Sequence, residues 1–167
     1  IWSNLDHETL PSCWGKYQQF DSHRTYLEDI YEKYLKVLAS NLNNCHKEDH
    51  SLKYWRIIIG PWLNRCITVI YDRYLSIKSA IDSNKVTNTW IPELKPERWV
   101  SVGTSDMTEQ SVRNDNFNLY LYGRLITKLG GITFEFKEDE SFFNPPKFQE
   151  NKTLTLPVNL KKINRDL

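Results

Sequence analysis

The sequence carries almost no excess charge of either sign. Its 22 Lys and Arg residues are balanced by 21 Asp and Glu residues, which leaves a formal net charge of +1 at pH 7. A protein that binds nucleic acid through the phosphate backbone needs a strongly basic surface. Because the whole chain does not supply one, we expect no nucleic-acid partner.

Cysteine is also scarce. The three Cys residues, Cys13, Cys45 and Cys66, are far apart in the chain and form no CxxC pair. An odd number without metal-ligand spacing indicates reduced thiols that are buried as small apolar side chains. A single disulfide is the alternative, and it would imply an oxidising compartment. The four His residues are scattered as well, so we expect no metal site.

No apolar run is long enough to cross a membrane. The longest one, from Ile57 to Leu63, contains seven residues, whereas a transmembrane helix needs about 20. The sequence has no signal peptide either, so we expect a cytoplasmic protein. Because the chain starts without Met and ends abruptly, we also expect that it is an excised part of a longer protein.

Aromatic residues, by contrast, are abundant. Six Trp, nine Tyr and seven Phe make up 13% of the 167 residues. They supply enough apolar mass for a core, which argues against disorder, and the length suits one domain. We predict a single helix-rich domain over residues 1–150 and an extended polar tail over residues 151–167.

The spacing of the apolar residues predicts a mainly α fold with one or two short strands. Apolar residues recur at helical spacing in three stretches and alternate in a fourth. The predicted helices are Ser22 to Asn43, Ser51 to about Asp82 and Asp115 to Leu129, and the predicted strand is Ile132 to Phe136. Ser83 to Val100 is predicted to be a loop. The alternative is that apolar runs such as Arg56 to Ile59 are strands of a Rossmann-like sheet.

The most apolar stretch of the sequence contains Gly60-Pro61 in its middle. Proline has no N–H, and its ring clashes with the carbonyl group four residues earlier. We therefore expect the second helix to kink at this point or to consist of two helices that meet. The carbonyl groups freed near Ile57 would then need a polar partner, which water or a ligand could supply. Trp55 and Trp62, which flank the dipeptide, are expected to fill the core.

A cationic cluster lies just before this stretch. His50 and Ser51 are at the predicted helix N-terminus, and Lys53 and Arg56 follow within the first turns. The unpaired N–H groups and the dipole of a helix N-terminus attract anions, and a guanidinium matches the geometry of a phosphate or carboxylate. We therefore predict that these four residues form a small phosphate-binding site. The simpler interpretation is that the arginine pairs with an acid and that the apolar residues only pack.

Asp72 and Arg73 add two charged groups further along the same predicted helix. Asp72 follows Arg65 by seven residues, which is about two turns and places both on one face. The functional interpretation is that Asp72 or Arg73 orients a bound substrate. The simpler interpretation is an ion pair between neighbouring helices.

Residues 50–80 resemble the signature segment of a family of bacterial transferases that are encoded in O-antigen and other surface-carbohydrate gene clusters. Members carry His-Ser-x-x-Tyr-Trp-Arg, then Gly-Pro-Trp-Leu, then Asp-Arg-Tyr or Asp-Arg-Trp. The matching residues are His50, Ser51, Tyr54, Trp55, Arg56, Gly60, Pro61, Trp62, Leu63, Asp72, Arg73 and Tyr74. Residues 1–6 and 115–122 match more weakly, with Phe117 where the family has Trp. The resemblance covers roughly residues 1–130.

The resemblance implies a transferase similar to the nucleotide-sugar-dependent glycosyltransferases, which are built from two Rossmann-like halves. This chain would be part of the N-terminal half, which faces the acceptor, and a nucleotide-sugar donor would bind the other half. No cofactor is therefore expected within these residues. The implied location is cytoplasmic and peripheral to the inner membrane, and the implied role is the synthesis of lipopolysaccharide or another surface polysaccharide. The implied partners are a sugar or sugar phosphate and the remainder of the full-length chain.

Two functions follow from these observations. In the first, the chain transfers sugar groups: His50 is the catalytic base because histidine titrates near neutral pH, and Arg56 holds a phosphate or sugar acid. In the second, it is a non-catalytic helical module that binds other proteins or itself through exposed aromatic side chains. The tryptophans that would form this surface are Trp2, Trp14, Trp90 and Trp99. A pocket shared by His50 and Arg56 would favour the enzyme.

Overall fold

The computed structural model of this chain describes residues 7–10, 12, 14, 17–93 and 100–138, and for residues 17–19 only the backbone. The elements in chain order are α1 (Tyr17–His46), α2 (Leu52–Asp82), β1 (Asn88–Pro92), α3 (Thr104–Arg113), α4 (Asp115–Leu129) and β2 (Thr133–Lys137). The prediction of a mainly α fold with short strands is confirmed. The predicted tail over residues 151–167 lies outside the described residues.

Helix α1 is longer at both ends than the apolar spacing predicted. It starts at Tyr17 rather than Ser22, and the hydroxyl group of Thr25 donates to the carbonyl oxygen of Asp21 (3.0 Å), a contact made within a helix. The helix continues to His46 and ends where Lys47 adopts a positive φ of 57°. The two asparagines at positions 43 and 44 therefore do not break the helix, because neither removes a backbone donor.

Helix α2 runs without a break through Gly60 and Pro61, so the prediction of two helices that meet there is wrong. The alternative that Arg56 to Ile59 form a strand is wrong for the same reason. Pro61 is exposed, and so are Ile57 (68%) and Ile58 (56%). The carbonyl group that loses its helical donor consequently lies on the solvent side, where water can solvate it.

Helices α1 and α2 form an antiparallel hairpin, because contacts between them join residues progressively farther apart in sequence. Asn43 bonds to Trp55 near the connection, and His23 bonds to Tyr71 far from it. Gly60 lies where the two helices approach closely: a Cβ atom there would be 2.6 Å from the hydroxyl oxygen of Tyr31. Any larger residue at this position would force the Tyr31 side chain to shift.

The chain between α2 and α4 contains two elements that the apolar spacing did not predict. Asn88–Pro92 within the predicted loop forms strand β1, and Thr104–Arg113 forms helix α3. Strand β1 pairs with β2 in parallel, from Asn88 opposite Thr133 to Pro92 opposite Lys137. Helices α3 and α4 together make the long connection that a parallel pair requires.

Helix α2 contributes to both parts of the buried core. One cluster joins Val69 of α2 to Met107 of α3 and Phe117 of α4. The other joins Ile77 and Ala80 near the end of α2 to Ile132, which precedes β2. Because α1, α3 and α4 all pack on α2, it is the central element of the fold. No helix within the described ranges is long and apolar enough to cross a bilayer.

Replacing Gly123 of α4 by alanine should destabilise the protein. The new Cβ would lie 2.5 Å from Cγ2 of Ile91, a buried β-branched side chain with little freedom to move. We expect a loss of about 1–2 kcal/mol, the cost of overpacking less the helix propensity that alanine adds. Urea unfolding followed by circular dichroism measures this loss in the free energy of unfolding. Arg124→Ala, an exposed position on the same helix, should change stability by less than about 0.5 kcal/mol; equal losses in both variants would contradict this packing.

Candidate functional site

The N-terminal end of α2 is capped by Ser51. The Ser51 hydroxyl group accepts a hydrogen bond from the Tyr54 N–H (3.3 Å), and the Ser51 carbonyl group accepts one from the Trp55 N–H (3.2 Å). The N–H groups of Leu52 and Lys53 precede the first helical bond and point outward from the helix end. This end of α2 therefore has the backbone geometry of an anion site.

Asn43 fixes the position of His50, and nothing in the spacing of the sequence identified it. Its amide nitrogen donates to the His50 carbonyl oxygen (2.9 Å), and its Oδ1 accepts from the His50 N–H (3.1 Å). The same Oδ1 also accepts from the indole N–H of Trp55 (2.8 Å). One side chain from the last turns of α1 thus holds both the start of α2 and a buried tryptophan.

The His50 imidazole lies beside the first turn of α2. Its ring stacks on Tyr54, with 4.0 Å between ring centroids and 27° between the planes. Its Nε2 lies 3.8 Å from a carboxylate oxygen of Glu48, which is beyond hydrogen-bond distance. Because the His50 side chain is 38% exposed, a molecule from solvent can reach it.

Arg56 is directed toward α1. Its two terminal nitrogens donate to the two carboxylate oxygens of Glu32, one at 2.9 Å and the other closer, and its guanidinium carbon lies 5.9 Å from the Tyr31 ring centroid. The hydrogen bond from Arg56 lowers the pKa of Glu32 below its usual value, and the same bond raises the pKa of Arg56. The partner of His50 is Asn43 and that of Arg56 is Glu32, and these two partner residues are about 16 Å apart along α1. The two side chains consequently do not share one pocket.

Asp72 and Arg73 belong to a separate network that joins α2 to three other segments. Arg73 donates from Nε (3.2 Å) and a terminal nitrogen (2.9 Å) to Oδ1 of Asn118, and from that terminal nitrogen to the Ser111 carbonyl oxygen (3.1 Å). Its other terminal nitrogen donates to Asp72, whose second oxygen accepts from the indole N–H of Trp14 (2.5 Å). Arg73 thus ties α2 to the end of α3 and the start of α4.

The two predicted groups of site residues are too far apart to share a small ligand. Arg56 and Arg73 are 17 residues apart on one helix, which corresponds to about 25 Å along its axis. The structure therefore brings His50, Ser51 and Lys53 together at one end of α2 and leaves Asp72 and Arg73 in a second group.

Three of the four predicted motif residues, Trp55, Gly60 and Trp62, serve packing. Trp55 is buried, and Gly60 permits the close approach of α1. Pro61 is exposed. Trp62 packs beside the core cluster that contains Val69, and among the described residues its buried indole N–H has no hydrogen-bond partner. Trp55 therefore lies in the core, and Trp62, which is partly buried, packs at the edge of the core.

A groove of about 460 Å³ lies between α1 and α2, beside the second group. Its lining is mostly apolar and includes four tyrosines, Tyr26, Tyr34, Tyr71 and Tyr74. His23, which the sequence did not single out, lies next to it, with Nδ1 2.7 Å from the Tyr71 hydroxyl oxygen. Neither His50 nor Arg56 contributes to this groove.

The two described cysteines differ in burial. Cys66 lines the groove, and burial raises the pKa of its thiol. Cys45 is exposed, so the expected burial of all three thiols is wrong for this one. Cys13 lies outside the described residues.

In the part of the chain that the structure describes, no three His, Cys, Asp or Glu side chains form a group that could hold a metal ion.

A protein-family model described as "LIC12162 family transferase" matches residues 1–166. The chain belongs to this family. No curated protein and no solved structure matches the chain. The expectation of a transferase, which came from the His50–Tyr74 motif residues, is therefore confirmed at the level of the family.

The described residues offer a LIC12162 family transferase two of the elements that group transfer requires. An acceptor must lose a proton as it attacks, and a half-exposed imidazole such as that of His50 can take it. The departing group is often anionic, and the N–H groups at the start of α2 can stabilise negative charge. Both elements lie within the first turn of one helix.

Arg73→Lys should destabilise this LIC12162 family protein by about 2 kcal/mol or more. A single ammonium group cannot serve Asn118, the Ser111 carbonyl group and Asp72 at once, so partly buried acceptors lose their donors. Urea unfolding measures the loss. The control is Arg24→Lys, which changes an exposed pair with Asp21 (3.7 Å) and should have almost no effect. Equal unfolding midpoints for Arg73→Lys and Arg24→Lys would contradict the conclusion that Arg73 stabilises the packing of α3 and α4 on α2.

Proposed function

We propose that this transferase is a glycosyltransferase-like enzyme that works in the synthesis of bacterial O-antigen or another surface polysaccharide. Its substrate is a sugar or sugar phosphate, and its donor in the full-length chain is a nucleotide sugar. Membership of a transferase family supports the reaction type. The sugar chemistry and the pathway rest on the resemblance of residues 50–80 to surface-carbohydrate transferases.

The observation that carries the proposal is the arrangement at the start of α2. Asn43 holds the His50 backbone from both sides, and Ser51 caps the helix. An imidazole that is reachable from solvent is thereby fixed next to outward-pointing N–H groups. A phosphate or sugar carboxylate bound there would receive backbone hydrogen bonds and the favourable end of the helix dipole.

Three residues at this end have a role in the proposal. His50 accepts the proton of the attacking hydroxyl group, and the Ser51 hydroxyl and the Lys53 ammonium group bind the phosphate. Arg56, which was predicted to hold this phosphate, is bonded to Glu32 instead and does not share a pocket with His50, so it has no contact with the phosphate in this proposal. Asp72 and Arg73, about 30 Å from Lys53 along α2, do not touch the same phosphate.

The proposed location is the cytoplasm, at the periphery of the inner membrane, where nucleotide sugars meet the growing saccharide. The proposed partners are the sugar or sugar-phosphate substrate and the remainder of the full-length chain. Self-association is a further proposal. It is supported by the exposed apolar side chains of α2, such as Ile57 and Ile58.

A specific observation also supports the alternative of a helical interaction module. The Trp90 ring on β1 is 41% exposed, and the Lys137 ammonium nitrogen lies 5.8 Å from its centroid. An aromatic side chain accessible to that extent is common at protein interfaces. Trp14 is half-buried against Asp72, so Trp90 is the exposed tryptophan of this module within the described residues; Trp2 and Trp99 lie outside them.

Binding and turnover by the full-length protein test the proposal. Lys53→Met should weaken binding of the sugar phosphate that the wild type recognises by about tenfold, the loss of one cationic contact. His50→Gln should lower kcat by a factor of at least about 100, because the base is lost. Isothermal titration calorimetry against a panel of sugar phosphates measures the affinity, and a sugar-transfer assay with a panel of nucleotide-sugar donors measures kcat.

The matched control is Lys78→Met, which removes an exposed lysine at the other end of α2. It should bind and turn over like the wild type. Wild-type activity in His50→Gln and Lys53→Met would contradict the site. A wild type that binds no sugar phosphate and transfers no sugar would contradict the function and favour the interaction module.

A further inference from the structure

One face of the two-stranded sheet is polar and surrounds a tryptophan. Successive side chains of a strand point to opposite faces, so residues that are paired across the ladder share a face. The side chains that share the polar face are Asn88, Trp90, Pro92, Thr133, Glu135 and Lys137. The opposite face carries Ile91, which lies against Gly123 of α4. Helix α4 consequently covers the opposite face, and the polar face is turned away from it.

The polar face is open to solvent. Trp90 is 41% exposed, and the other exposed residues of this face are Asn88, Thr133, Glu135 and Lys137. Because charged side chains are seldom buried in a core, this face is suited to a polar ligand rather than to an apolar layer. A cavity of about 520 Å³ lies here, and its lining includes all five of these residues. Its volume is in the range of small-molecule sites.

The two charges on this face offset each other and lie beside the indole ring. Glu135 is paired with Trp90 across the ladder, and the Lys137 ammonium nitrogen lies 5.8 Å from the centroid of the Trp90 ring. One carboxylate and one ammonium group select neither an anion nor a cation. The face also offers both kinds of hydrogen-bonding group, because the Asn88 amide and the Thr133 hydroxyl donate and accept, the carboxylate accepts and the ammonium group donates.

We propose that this polar face binds the ring of a neutral hexopyranose, with Trp90 as the stacking platform. One side of a pyranose ring presents C–H groups, which pack on the flat indole and remove apolar surface from water. The hydroxyl groups at the edge of the ring donate and accept, as the side chains around the indole do. Strand β1 follows the far end of α2 from His50, so this inference goes beyond the proposed transfer reaction and needs neither His50 nor a phosphate.

NMR titration of the full chain with the methyl glycosides of glucose, galactose, mannose and N-acetylglucosamine tests this site. In the wild type we expect at least one glycoside to shift the Thr133 backbone amide resonance in a saturable manner. Trp90→Ala should weaken that binding at least about tenfold, because the stacking surface is lost. Glu135→Ala, a second variant at an exposed position, should weaken it about threefold through the loss of one acceptor. His50→Gln should leave it unchanged, so failure of sugar transfer and failure of this inference are observed separately.

The matched control is Phe136→Ala, which removes an exposed aromatic side chain from the opposite face of the same sheet and should leave the dissociation constant unchanged. A wild type that shows no saturable shift with any of these glycosides would overturn the proposal. So would a dissociation constant that Trp90→Ala does not raise. Adenosine is titrated in parallel: a saturable shift with adenosine but with none of the glycosides would assign the face to a nucleobase and would overturn the proposal as well.

Discussion

The unbroken path of α2 through Gly60 and Pro61 determines where the other elements lie. Pro61 removes one helical hydrogen bond, and the helix tolerates the loss because the affected side faces water, as the exposed Ile57 and Ile58 indicate. Gly60 makes the opposite contribution on the buried side, where the absence of a Cβ lets Tyr31 of α1 approach. The dipeptide therefore permits a long central helix rather than ending it.

A continuous helix of 31 residues separates the chemistry at its two ends. At its start, Asn43 and Ser51 fix His50 beside outward-pointing N–H groups. Toward its end, Arg73 uses its hydrogen-bond donors to hold α3 and α4 in place. The family motif thus covers two regions of α2. The start of the helix is accessible to a substrate, and the part that contains Arg73 stabilises the fold.

Short-range patterns in the sequence predicted the elements that form through interactions between residues close together in the chain. The amphipathic spacing predicted α2 and α4 within a few residues. The elements and contacts that the sequence did not predict depend on residues that are far apart in the chain. Strand β1 is defined by its pairing with β2, α3 buries only Met107 and Ser111, and the partner of Arg56 is 24 residues away on α1. No spacing rule identifies such partners, so the separation of His50 from Arg56 could be learned only from the fold.

The distance between two spin labels on α2 tests its continuity most directly. Labels at Lys53→Cys and Lys78→Cys, with the three native cysteines replaced by alanine, lie 25 residues apart on exposed positions. One continuous helix predicts a single distance distribution centred near about 37 Å in a double electron–electron resonance measurement. A distribution centred below about 30 Å, or one with two separate maxima, would mean that α2 breaks at Gly60-Pro61 and would contradict the account.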